Sequence, residues 1–86
     1  METQDMHIAM ALLLQDWDPF KLGPDFYEPE IADSIVAVRK LDDIEEIAES
    51  IKAIYEFSFE EELNLDECRK MALQLLQIKN NASCTL

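Results

Sequence analysis

The chain has 86 residues, 49% of them apolar, and 19 acidic against 7 basic side chains leave it a formal charge of -12. That length implies one helical domain spanning residues 1–86 with a modest core, and that charge excludes nucleic acid and anionic membrane surfaces as partners while favouring a basic protein. Two cysteines and one histidine fall short of a disulfide framework or a zinc site, and the sequence shows neither a basic leader nor an apolar run of bilayer length, so the expected location is the cytoplasm, with both thiols reduced.

The first helix is expected over 4–15. Met6, Ala9, Met10, Leu13, Leu14 and Trp17 recur at three- and four-residue spacing and form an apolar stripe with Leu12 beside it. His7 lies on the flank of that stripe and reads as a surface residue. Asp16-Trp17-Asp18-Pro19 ends the helix, because Pro19 restrains Asp18 away from helical geometry. Residues 19–29 then hold all three prolines and the only glycine, together with Phe20, Phe26 and Tyr27. Aromatic rings are seldom left wholly in water, so this long loop is expected to lie across the helices and pin its rings at the edge of the core.

The second helix is expected over 29–40. Pro29 suits a first helical turn, Glu30 and Asp33 sit near the positive end of the helix dipole, and Arg39 and Lys40 near the negative end. Ile31, Ile35 and Val38 form its buried stripe, widened by Val36 and Leu41. The third helix, 43–57, is the segment the rest packs around. Ile44, Ile47, Ala48, Ile51, Ile54 and Tyr55 take one face and Glu45, Glu46, Glu49, Lys52 and Glu56 the other, with Asp42 or Asp43 as the cap. The expected core centres on Ile47, Ile51 and Ile54.

Phe57 and Phe59 alternate around Ser58, a pattern that fits either two extended residues or a last distorted turn. Glu60-Glu61-Glu62 are expected in water, because adjacent carboxylates repel one another. Asn64 with Glu67 has capping-box spacing for a fourth helix, with Asp66 as a competing cap. That helix is expected over 66–79, with Cys68, Met71, Ala72, Leu75, Leu76 and Lys79 on one broad face, Leu73 partly exposed, and Asn80-Asn81 as its stop. The tail from Ala82 to Leu86 has no periodicity. The fold class is therefore all-α: a small compact four-helix domain with a long Pro/Gly/aromatic loop between helices 1 and 2.

No catalytic, cofactor or metal site emerges from these residues. Asp16-x-Asp18 opens like a calcium loop, but Lys21 stands where that loop needs glycine and no glutamate closes it. Asp16 and Asp18 read instead as capping and turn-making residues. Cys68 lies on the apolar face of its helix and reads as a core residue. The surface singled out for partner binding is the 16–30 loop, through Asp16, Asp18, Asp25, Tyr27 and Glu28, where carboxylates stand around aromatic groups.

Trp17-Asp18-Pro19-Phe20, Tyr27, Glu30, Ile54-Tyr55-Glu56-Phe57-Ser58-Phe59-Glu60-Glu61, Cys68 and Ser83-Cys84 together resemble the small Bacillus YugE-like family of unknown function. The resemblance spans almost the whole chain and implies a compact helical domain; it carries no activity, ligand or catalytic residue. Asp33-Ser34-Ile35 is similar to the Asp-Ser-Leu attachment motif of acyl carrier proteins, although no glycine precedes it and Ser34 lies inside its helix. The expected function is a non-enzymatic protein-interaction or adaptor domain without cofactors, with homodimerisation open. The alternatives are an inhibitor or immunity-type protein for a basic enzyme, and a carboxylate-using enzyme or carrier protein.

Overall fold

Each apolar stripe becomes a helix. The computed structural model describes residues 3–84: α1 is Thr3–Trp17, α2 Glu28–Lys40, α3 Ile44–Phe59 and α4 Leu65–Cys84, with a short 3-10 turn at Pro24–Phe26 and no strand among the described residues. Thr85 and Leu86 of the expected tail lie outside the described residues.

Local signals set most of the boundaries. Asp43, not Asp42, caps α3: its carboxylate accepts from the Glu46 N–H at 3.0 Å. Asn64, not Asp66, caps α4, accepting from the Glu67 N–H at 3.2 Å. α2 starts without a side-chain cap, and its Pro29 occupies the first turn, where a missing N–H costs nothing. α3 ends at Glu60, whose backbone is left-handed at φ 53° and whose N–H donates to the Glu56 carbonyl.

The core is built from Met6, Met10 and Leu14 of α1, Ile31, Ile35 and Val38 of α2, Ile47, Ala48, Ile51 and Tyr55 of α3, and Cys68, Met71, Ala72 and Leu75 of α4, closed by Tyr27 and Leu63 from the links. The short link 41–43 makes α2 and α3 antiparallel neighbours. The link 60–64 folds back along α3, where the Leu63 N–H donates to the Glu56 carboxylate at 2.8 Å. The same carboxylate takes the Lys52 ammonium at 2.6 Å.

Three expectations need correction. Ile54 is half-buried, and Tyr55, one position on, takes the central place beside Ile47 and Ile51. Phe57-Ser58-Phe59 is neither extended nor distorted: it continues the helix. Residues two apart on a helix stand nearly opposite one another, so Phe59 packs on the core while Phe57 faces water. α4 passes through Asn80-Asn81 to Cys84, because asparagine weakens a helix only slightly and no glycine or proline follows to stop it. Lys79 lies on the broad face of α4, as expected, and meets polar groups there. Its ammonium spans the carbonyls of Val38 and Leu41 at 3.0 Å, that of Arg39 at 3.2 Å and the Asp42 carboxylate at 2.8 Å. These are the carbonyls a helix end leaves without partners, so Lys79 ties α4 to the end of α2 and the start of α3.

Candidate functional site

The loop between α1 and α2 is ordered by Asp18. Its backbone is left-handed at φ 39°, a geometry aspartate tolerates better than most residues. Its carboxylate then faces back into the loop. It accepts from the Leu22 N–H at 2.9 Å, the Gly23 N–H at 3.2 Å and the Tyr27 hydroxyl at 2.5 Å. Gly23 sits at φ 100° and ψ 157°, a conformation open essentially to glycine alone. The Tyr27 hydroxyl also accepts from the Phe20 N–H at 3.2 Å. The bond from Tyr27, helped by those from Leu22 and Gly23, holds the Asp18 carboxyl below its ordinary value. Burial and the bond to Asp18 push the Tyr27 phenol up.

Behind this loop the rings interlock. Tyr27 packs edge-on against Phe59 at 5.3 Å and tilted against Tyr55 at 5.7 Å; Trp17 meets Tyr55 edge-on at 5.3 Å, and Phe20 meets Phe59 at 5.3 Å. Offset and edge-to-face contacts at these distances are the favoured aromatic geometries. The loop is thus pinned to the α3 core face, as expected for Trp17, Phe20 and Tyr27. Phe26 differs: it is 63% exposed.

The five residues singled out for partner binding divide between two roles. Asp16, Asp25 and Glu28 are exposed. Tyr27 is fully buried, so it cannot touch a partner: its ring belongs to the aromatic cluster and its hydroxyl to Asp18. Asp18 is half-buried, its carboxylate occupied by the loop. The outer edge of the loop instead offers Leu22 and Phe26 beside Asp25 and Glu28. A cleft of about 350 Å³ runs between Trp17–Lys21 and Glu62–Leu63–Asn64–Glu67.

Cys68, Ser34 and Tyr55 are withdrawn from the surface. Cys68 is fully buried in the core, and burial pushes its thiol up to about 11. Ser34, the serine of the carrier-like motif, has no exposed surface, and a hydroxyl packed against the core has no room for a covalently attached arm. The Tyr55 hydroxyl is buried in the same core, and burial drives the Tyr55 phenol strongly upward. Among the described residues, no three His, Cys, Asp or Glu side chains gather as a metal would require, and no helix is long and apolar enough to cross a membrane.

The profile of the family described as a domain of unknown function, DUF1871, matches residues 9–85. The chain belongs to the DUF1871 family. This DUF1871 chain is 47% identical over 85 residues to the "Uncharacterized protein YugE" of Bacillus subtilis (strain 168), covering 99% of each. It is similar to the crystal structure of APC36109 from Bacillus stearothermophilus, with 37% identity and a TM-score of 0.89 over 92% of this chain and 98% of that one. The resemblance carried by Trp17-Asp18-Pro19-Phe20 and Tyr55-Glu56-Phe57 therefore reflects membership. In this DUF1871 fold Trp17, Phe20 and Tyr55 serve the ring cluster, Asp18 the loop hub, and Glu56 holds Lys52 and the Leu63 N–H. Phe57 is 88% exposed and outside the core cluster. Its spacing from Phe59 already placed one of the two rings outside, once both lay on one helix.

Proposed function

We propose that this chain is a non-enzymatic cytoplasmic interaction domain that binds a basic protein partner. The observation that carries the reading is the division of labour in the α1–α2 loop. A carboxylate hub and a buried tyrosine fix its backbone, while its outer edge leaves Leu22, Asp25, Phe26 and Glu28 in solvent. Apolar groups ringed by unpaired carboxylates supply desolvated contact and charge steering together. A backbone already held in place loses little freedom on binding. The net charge of -12 extends the attraction over the whole molecule. A non-enzymatic role is supported by the burial of the Cys68 thiol and of the Ser34 hydroxyl, which withdraws both from chemistry at the surface.

The test is Asp25→Lys with Glu28→Lys. The wild-type chain and this variant are used side by side to recover partners from the native host at low and moderate salt. A basic protein should be retained by the wild type at low salt, and its association with the variant should be markedly slower. Binding should weaken at 0.15 M salt, where screening acts over about 8 Å. Equal association rates for both proteins at both salt concentrations would remove this loop from the contact. If the recovered protein is an enzyme whose activity falls on binding, the chain acts as an inhibitor and not as an adaptor.

A further inference from the structure

Among the described residues, the most exposed large apolar side chain lies away from the loop, near the end of α3. Phe57 is 88% exposed, and it borders a shallow cleft of about 390 Å³ with Ala53, Ile54 and Ser58 of α3 and Asp33 of α2. Ala53 and Phe57 are one turn apart on α3. The cleft between the two antiparallel helices therefore has an apolar wall on α3, from Ala53, Ile54 and Phe57, and a carboxylate, Asp33, on its α2 side. The small, exposed Ala53 leaves room for close approach. A third helix seats along such a groove at an interaxial distance of roughly 8–10 Å.

Charge decides the occupant. Asp33 takes part in none of the ion pairs, which join Lys52 to Glu56, Arg69 to Glu45 and Asp66, Lys70 to Glu67 and Lys79 to Asp42. Glu28, Glu46, Glu49, Glu60 and Glu61, on the same two helices and the link that follows, are exposed carboxylates outside those pairs. The only cations on these faces besides the paired Lys52 are Arg39 and Lys40, at the far end of α2 from Glu28. A second copy of the chain would bring a further charge of -12 onto this surface. A cationic segment would neutralise it.

The geometry points to the α2–α3 cleft as the docking site of a basic amphipathic helix, with an aliphatic or aromatic anchor against Phe57 and Ile54 and a lysine or arginine on Asp33. This rests on the interaction-domain reading and gives it a second surface and a stated partner class. Helix-in-groove recognition of this kind concentrates its binding in one or two anchors.

The probe is a short synthetic Leu/Lys peptide with its leucines on one helical face, alongside a scrambled peptide of the same composition. Each is titrated into isotope-labelled protein and followed by NMR. The amphipathic peptide should move the resonances of Asp33, Ala53, Ile54 and Phe57 and bind more tightly than the scrambled one. Phe57→Ala should weaken it by roughly tenfold with an unchanged circular dichroism spectrum, because Phe57 is 88% exposed and outside the core cluster. Asp33→Lys, an exposed position tested independently, should weaken it as well. Binding confined to the Asp25–Glu28 edge and unaffected by Phe57→Ala would overturn the cleft while leaving the interaction reading standing. Equal affinity for the scrambled peptide would also overturn it. Failure of both peptides to bind would remove both readings. A wild-type dimer in sedimentation that Phe57→Ala converts to monomer would show that the cleft covers itself with a second copy.

Discussion

Asp18 shows how much one side chain can organise. It accepts two loop amides and the Tyr27 hydroxyl from a left-handed backbone, and the same bonds hold its carboxyl below the ordinary value of 3.8. A carboxyl depressed in the folded state contributes stability that is full above its unfolded pKa and is lost as pH falls through its folded one. Asp18→Asn retains tolerance of the left-handed backbone but cannot titrate. Urea unfolding between pH 7 and pH 3 should therefore show a shallower acid-side loss of stability for the variant than for the wild type; parallel curves would mean that this carboxyl has no part in the acid response. Tyr27→Phe keeps the ring contacts with Tyr55 and Phe59 and removes only the hydroxyl bridge between Asp18 and Phe20. It should cost about 2–3 kcal/mol in the same assay, because two hydrogen bonds are lost and one of them is to a carboxylate.

At the scale of elements, ends matter more than interiors. α3 and α4 begin on side-chain caps at Asp43 and Asn64, and α3 stops on a non-glycine residue in left-handed geometry. That geometry strains a residue bearing a Cβ and is free for glycine, so Glu60→Gly should raise stability by about 0.5–1 kcal/mol despite glycine's greater freedom in the unfolded chain. A lower thermal midpoint for this variant would mean that the Glu60 side chain has a role its exposed position does not reveal. Lys79 works on the same principle from a distance, satisfying the carbonyls at the end of α2 that no local residue reaches.

For the whole molecule, the single core is the point of vulnerability. Ile51 is fully buried among residues of all four helices. Ile51→Asp would place a carboxylate there with neither water nor a counter-charge, and the loss should be on the order of 4–5 kcal/mol, a large share of what a domain of this size has. Circular dichroism and denaturant titration check it. A native spectrum with an unchanged midpoint would show that the core is not centred on α3. The acidic loop edge is built on Asp25 and Glu28 and the apolar wall of the cleft on Phe57 and Ile54 of α3, so Asp25→Lys with Glu28→Lys and Phe57→Ala should each alter binding while moving stability by less than about 1 kcal/mol.

Four helices, their order, the Asn64 cap and the turn-making role of Asp18 were legible in the amino-acid sequence because each depends on neighbours within a turn or two: apolar spacing, a capping oxygen, a proline that forbids helix. The division of the aromatics was not. Phe26 and Tyr27 are adjacent and equally apolar in body, and only the position of Asp18 and the α3 rings sends Tyr27 inward and Phe26 out. Phe57 and Phe59 part because the helix does not stop between them. Ser34 was legible as a residue inside its helix, but only packing shows it sealed; Lys79 was legible on the broad face of α4, but not that it closes a helix end some forty residues earlier in the chain. Local chemistry determined which segments are helices. Contacts between residues far apart in the chain decided which side chains remain on the surface to meet a partner, because burial belongs to the assembled core and not to any one segment.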